Sequence, residues 1–308
     1  MREAAAAPRA ASPVTRALDR LPALATTGVG SLPFGAPSDA VAHVLGAYEL
    51  PFCPQLPLAD GDMVSEWLGG DPAGCGWSPD RDRERPAAWD AFVAALVHIR
   101  PAHGLVKLQV TGPATLAAAL GGPGDEGLAR EVAVWLAANA AGQVRRLDEL
   151  GIEVVLLVDE PGLGAADVGD VYDPLRRTGA AAWGVHVCGA VPWPLVDALE
   201  PDVLSFDLTR HAPDAVGRSV LARLVGTGAR IAWGVLDPVS PGSALPAAAR
   251  AGGVIRTLGR PADRVAAHGL LTPGCGTGML TPARELAIAR GLAVIADALR
   301  APRFMRQQ

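Results

Sequence analysis

Residues 182–188 read Ala-Trp-Gly-Val-His-Val-Cys and residues 203–207 read Val-Leu-Ser-Phe-Asp. Each is a short β-like run that ends in groups able to do chemistry. Outward from this pair, similar runs recur at Ala25–Gly30, Phe52–Leu58, Leu105–Thr111, Glu153–Val158, Ile231–Leu236 and Gly269–Pro273. Helix formers fill the intervals, with long helices predicted over Glu126–Leu150 and Pro282–Leu299 and shorter ones over Asp214–Leu224 and Leu245–Leu258. Strand alternating with helix predicts parallel pairing. Eight such units make an α/β fold that closes most naturally into one (β/α)8 TIM barrel; an open doubly wound sheet is the alternative, because periodicity does not encode closure.

Composition narrows the function classes. Half of the 308 residues are hydrophobic, 19% are charged and the formal net charge is -5, the balance of a globular chain rather than a disordered one. All 27 basic residues except Lys107 are arginines, and they are scattered among acids, so no basic stripe marks a nucleic-acid partner. Mean hydropathy is positive at +0.24, mostly through alanine, yet no run of about 18 apolar residues is free of Gly, Pro and charge, which argues against a membrane span. Residues 1–21 lack a continuous apolar signal core and read as a disordered leader on a cytoplasmic protein. Residues 22–308 then form a single barrel domain, and the Gly-, Pro- and Trp-rich stretch over 60–100 reads as an insertion at one mouth.

In a barrel the chemistry sits at the C-terminal ends of the strands. The polar groups ending the runs are Ser31, Thr111, Asp159, His186 with Cys188, Asp207, Asp237 and Cys275. Residues two apart on a strand face the same way, so His186 and Cys188 converge, and Asp207 shares the inward face of its run with Ser205. Cys275 sits in a Pro-Gly-Cys-Gly-Thr-Gly turn. Taken singly, these residues read as buried cysteines and a satisfied core histidine. Together, one imidazole, two thiolates and a carboxylate suit tetrahedral zinc. Zinc in such a place lowers the pKa of an incoming thiol, and a thiolate is the form that attacks a methyl carbon.

Other candidates carry less. Glu160 offers a second carboxylate beside Asp159, but alternate residues face opposite sides, so one of the two reaches the pocket and Asp159 is the choice. Lys107 suggests an imine-forming amine, although a structural or substrate-contact role fits its strand better. Trp67, Trp77, Trp89, Trp193 and Trp233 read as packing residues. Cys53 and Cys75 have no histidine pattern near them. P-loop, dinucleotide-binding and serine-hydrolase motifs are absent from the sequence.

The segments Thr26–Pro33, Asp62-Met-Val64, Val106-Lys through Pro113, Val158-Asp-Glu-Pro161, His186-Val-Cys188, Asp202–Asp207, Gly234–Asp237 and Pro273-Gly-Cys-Gly276 together resemble the catalytic C-terminal barrel of cobalamin-independent methionine synthase, within the superfamily that also holds uroporphyrinogen decarboxylase. The resemblance spans nearly the whole chain after the leader. It implies a zinc-dependent methyltransferase that converts homocysteine to methionine, with Zn2+ held by His186, Cys188, Asp207 and Cys275. It also implies substrate contacts at Ser31 and at Asp159, which would receive the homocysteine ammonium.

Three positions depart from the family pattern. Asp207 stands where glutamate is usual and is one methylene shorter. Val239 replaces a histidine implicated in acid catalysis, so no catalytic acid is assigned. Ala59 replaces a substrate-binding glutamate, and the family's additional N-terminal barrel has no counterpart. The methyl donor is therefore methylfolate or a methylated corrinoid protein, the latter suggested by the missing acid. Two alternatives remain: a related barrel acting on another thiol or donor, or a non-catalytic homologue that binds an amino acid or a corrinoid partner.

Overall fold

The computed structural model describes residues 17–72, 77–80, 86–161, 163, 170–258, 265 and 268–301. Among the described residues seven strands form one parallel sheet: β1 (Ala25–Thr26), β2 (Leu105–Thr111), β3 (Glu153–Asp159), β4 (Ala182–Val187), β5 (Val203–Asp207), β6 (Arg230–Leu236) and β7 (Gly269–Pro273). Their order is β1-β7-β6-β5-β4-β3-β2, so the chain's first two strands form the two edges of a curled sheet. The α/β class and the parallel pairing match the sequence reading.

The closed eight-stranded barrel does not. The run Phe52–Leu58 forms no strand; it makes isolated parallel bridges, Phe52 to Lys107 of β2 and Gln55 to Ser31 beyond β1. Backbone hydrogen bonds continue this link: Leu50 N–H donates to Thr26 O at 3.0 Å, Cys53 N–H to Lys107 O at 3.0 Å and Gln55 N–H to Gly30 O at 3.1 Å. Pro51, Pro54 and Pro57 account for the difference, since each lacks the N–H that a continuous ladder requires. The segment thus occupies the gap between the edges without joining the sheet as an eighth strand.

Helices cover the outer face. Asp125 caps the long helix Glu126–Asp148 by accepting from Leu128 N–H at 3.0 Å, and Asp214 caps Ala215–Thr227 by accepting from Gly217 N–H at 2.8 Å. The inner face is apolar at its N-terminal end, where Ala25, Leu50, Leu105, Val155, Val203 and Leu270 pack together. Ala17, Leu18 and Leu21, within the stretch read as leader, belong to this cluster, and Arg230 reaches from β6 to the Leu18 carbonyl. The packed chain therefore begins before the Leu21 boundary; residues 1–16 lie outside the described set. Among the described residues no helix is long and apolar enough to cross a membrane.

Candidate active site and metal centre

Strand register brings the site together. Parallel pairing aligns Thr111 with Asp159, Asp159 with His186, and His186 with Ser205, so four polar side chains form one row across β2 to β5. Cys188 lies one inward position further along the β4 direction, and Cys275 follows β7. The ligating atoms of His186, Cys188 and Cys275 all lie within 4.8 Å of one another. These are the residues the sequence reading assigned to a metal, less one.

His186 is buried, and its Nδ1 meets Ser205 Oγ at 2.8 Å. With Nδ1–H donating to that hydroxyl, Nε2 presents a lone pair; it is buried and has no hydrogen-bond partner. The Cys275 thiol is drawn down to about 4, first by hydrogen bonding from Cys188 and then by the adjacent His186 imidazole, against the opposing effect of burial. The same hydrogen bond pushes the Cys188 thiol well up, and burial adds to it. An imidazole nitrogen without a hydrogen-bond partner beside two cysteine sulfurs is a donor set of the kind that zinc takes.

Asp207 is not brought into this group. Its Oδ1 accepts from Thr209 N–H at 2.8 Å and Thr209 Oγ1 at 2.5 Å, its Oδ2 lies 3.7 Å from Arg210 Nε, and the carboxylate packs on the backbone of Gly274. A Cβ on Gly274 would stand 2.5 Å from Asp207 Oδ1, which is why this position needs glycine. A short aspartate finds its partners two residues along its own chain before it can span to the sulfurs.

Asp159 points the other way energetically. It is 5% exposed, and its Oδ1 has no hydrogen-bond partner. Burial pushes its carboxyl up to about 6, and the Cys275 thiolate adds to the rise while His186 and Lys107 oppose it. Lys107 is buried below this row, donating to Val29 O at 2.6 Å and Gln109 Oε1 at 2.8 Å, with its ammonium 4.9 Å from the centre of the Phe52 ring. Burial pulls Lys107 down to about 8.

The remaining sequence candidates separate by place. Ser31 stands against the Cys275 turn, its carbonyl accepting from Thr277 N–H at 3.0 Å and its Oγ from Gly278 N–H at 3.3 Å. Thr111 donates to Met63 O at 2.7 Å, which ties part of the 60–100 segment to the end of β2. Asp237 lies at the rim, accepting from Val239 N–H at 2.9 Å and from Arg210 at 3.3 Å. Glu160 is withdrawn from substrate: its carboxylate accepts from Ala114 N–H, Thr115 N–H, Thr115 Oγ1 and the Tyr172 hydroxyl, so it serves the helix Pro113–Ala119 instead. Val239 is 70% exposed. The tryptophans pack, Trp67 and Trp77 on Trp135, and Trp193 and Trp233 on Phe206. Cys53 is buried, and Cys75 lies outside the described residues. The sequence reading set Ser205 on the inward face of its run without giving it a role, which its register opposite His186 supplies, and it missed Gln109 and Arg210.

The sequence matches no protein-family model and no curated protein. Among solved structures the chain is similar to a methyltransferase from Methanosarcina mazei, at 17% identity and a TM-score of 0.63 over 94% of this chain and 98% of that one. It is also similar to a B12-independent methionine synthase from Shewanella sp. W3-18-1 in complex with selenomethionine, at 14% identity and a TM-score of 0.52 over 71% of this chain and 68% of that one. At these identities the likeness establishes a shared fold.

Proposed function

We propose that this chain is a zinc-dependent S-methyltransferase of the methionine synthase-like barrel superfamily, a single-domain cytoplasmic enzyme that moves a methyl group to homocysteine. The observation that carries the reading is the convergence of His186, Cys188 and Cys275 within 4.8 Å. Two cysteine sulfurs and an imidazole nitrogen with no hydrogen-bond partner make a three-donor set that fits zinc, and a tetrahedral ion held by three protein ligands would take a substrate sulfur as its fourth. Bound there, zinc supplies the Lewis acidity that turns a substrate thiol into a thiolate at neutral pH. Two fold neighbours whose names describe methyl chemistry support the reading, one of them solved with the selenium analogue of methionine.

The chain's own residues supply orientation. Ser205 fixes the His186 ring, and Asp159, beside it in register, offers an uncommitted carboxylate oxygen to the substrate ammonium. Ser31 lines the turn that carries Cys275. In the transfer a sulfur–carbon bond forms as the carbon–donor bond breaks, and the donor departs with the electron pair. A folate nitrogen leaving in this way needs a proton, whereas a corrinoid cobalt does not. Val239 offers no proton where the resembled family has a histidine. A methylated corrinoid protein is therefore the favoured donor over methylfolate.

Metal analysis of the purified wild type against Cys275→Ser tests the site, and homocysteine methylation with methylcobalamin and methylfolate side by side tests the reaction. The expected result is near-stoichiometric zinc in the wild type, its loss in the variant, and turnover with methylcobalamin. Equal, negligible zinc in both proteins overturns the metal site; zinc binding without turnover from either donor marks a binding-only homologue.

A further inference from the structure

Lys107 is the only lysine in the chain, and it is 1% exposed on the inner face of β2. Neither the metal reading nor the substrate reading uses it. An imine-forming role does not fit, because the amine is enclosed and already donates to two acceptors, Val29 O at 2.6 Å and Gln109 Oε1 at 2.8 Å. Its ammonium also lies over the Phe52 ring. A buried cation whose hydrogen-bond partners are a carbonyl and an amide is costly to keep, and what those partners join shows what it is kept for.

They join the open side of the sheet. β1 and β2 are its two edges and do not pair, and the segment between them makes isolated bridges instead of a ladder. Lys107 reaches from β2 to residues 29–31, the strip that continues β1, while the amide of its partner Gln109 donates to the Cys53 carbonyl of the bridging segment. The strip is closely seated: a Cβ on Gly30 would stand 2.5 Å from Gln55 Oε1 and 3.0 Å from Gln109 Cγ. Its far end, Ser31, holds the turn that carries Cys275. The Ser31 carbonyl accepts from Thr277 N–H at 3.0 Å and from the Thr277 hydroxyl at 3.1 Å, and its Oγ accepts from Gly278 N–H at 3.3 Å. A Cβ on Gly276 would overlap the Ser31 hydroxyl. Cys275 is the exposed member of the three-donor group and sits on the turn after β7, so this contact bears directly on where its sulfur stands.

We infer that Lys107 is a positioning residue: by fastening residues 29–31 across the unpaired edges of the sheet, it holds Ser31 against the 275–278 turn and so sets the Cys275 sulfur beside His186 and Cys188. The inference rests on the metal-site reading above and deepens it.

Three variants test it. Lys107→Met keeps the bulk but leaves Val29 O and Gln109 Oε1 without their donor. Gly30→Ala displaces the same strip sterically with the lysine in place, and Val154→Ala, packed on the outer face of β3, controls for lost stability alone. Zinc affinity is read by competition with a chromophoric chelator, and alkylation of Cys275 in the zinc-free protein is followed on its peptide by mass spectrometry. Coupling carried through a chain of contacts is worth about two- to thirtyfold, so Lys107→Met and Gly30→Ala should each weaken zinc binding by about that factor and change the alkylation rate at least about twofold. Val154→Ala should move the unfolding midpoint and neither of these readouts. If Lys107→Met behaves as Val154→Ala does, the role is merely structural and the proposal is overturned, whether or not Gly30→Ala shows a change. If Lys107→Met does not fold, Gly30→Ala decides by the same two measurements: a change in both supports the proposal, and a match to wild type overturns it. If the wild type binds no zinc, the metal reading fails while the alkylation series still decides the positioning role.

Discussion

On the outer face of the sheet, Val106, Leu108 and Val110 of β2, Val154, Leu156 and Val158 of β3 and Phe206 and Trp233 of β5 and β6 pack under the helices. The inner face of the same strands carries Lys107, Gln109, Thr111, Asp159, His186, Ser205 and Asp207, all nearly as buried. Parallel strands covered on both sides usually read as unbroken apolar runs. Here only the outward positions do, together with the N-terminal end of the inner face. The contrast shows what each face is for. Apolar burial outside specifies and stabilises the fold, and polar burial inside is retained despite its cost, which is the mark of a site.

The comparison can be broken at its strongest point. Phe206 is fully buried between Trp193 and Trp233, so Phe206→Ala should cost about 3–5 kcal/mol in urea unfolding and leave the zinc content of the folded protein unchanged. A loss of metal with little loss of stability would show that the outer face serves the site directly.

On the inner face, Lys107→Met sharpens the contrast through pH. The Lys107 amine titrates near 8 in the folded chain and near its ordinary value when unfolded. Between those values the unfolded state holds the proton and the folded state does not, so stability rises with pH across this window. The wild type should therefore gain up to about 3 kcal/mol relative to Lys107→Met between about pH 8 and pH 10.5, by denaturant melts at each pH. A constant gap would mean that the buried amine is not paying the desolvation penalty assigned to it.

The smallest effect falls on Asp159. Its Oδ1 has no partner in the fold, so Asp159→Asn should leave the melting temperature equal or slightly higher while raising the homocysteine KM by about thirtyfold, the value of a charge-assisted hydrogen bond of about 2 kcal/mol. Destabilisation with an unchanged KM would move Asp159 from the site to the scaffold.

How much of this was legible depends on the range of the physics involved. His186 and Cys188 could be placed on one face because side chains alternate along a strand, and Cys275 could be placed because it follows the last strand at the same end. The same alternation separated Asp159 from Glu160. The eighth strand was misread because apolar residues between Pro51 and Pro57 look like a strand to a composition rule, although the prolines withhold the N–H groups a ladder needs. Asp207 faces inward as expected, but its carboxylate is taken by Thr209 and Arg210, a contest between nearby partners that spacing does not decide.

The sequence by itself determined the parallel α/β architecture, the inward-facing residues of each strand and the end of the sheet where the chemistry gathers, because these follow from periods of two and of 3.6 residues along the chain. Only the tertiary structure decided which polar groups stay free. Whether Asp159 is left open, Asp207 is turned onto its own loop or Glu160 is absorbed by a helix start depends on hydrogen-bond partners that are distant in sequence or compete over a few ångströms, and no local pattern encodes the outcome.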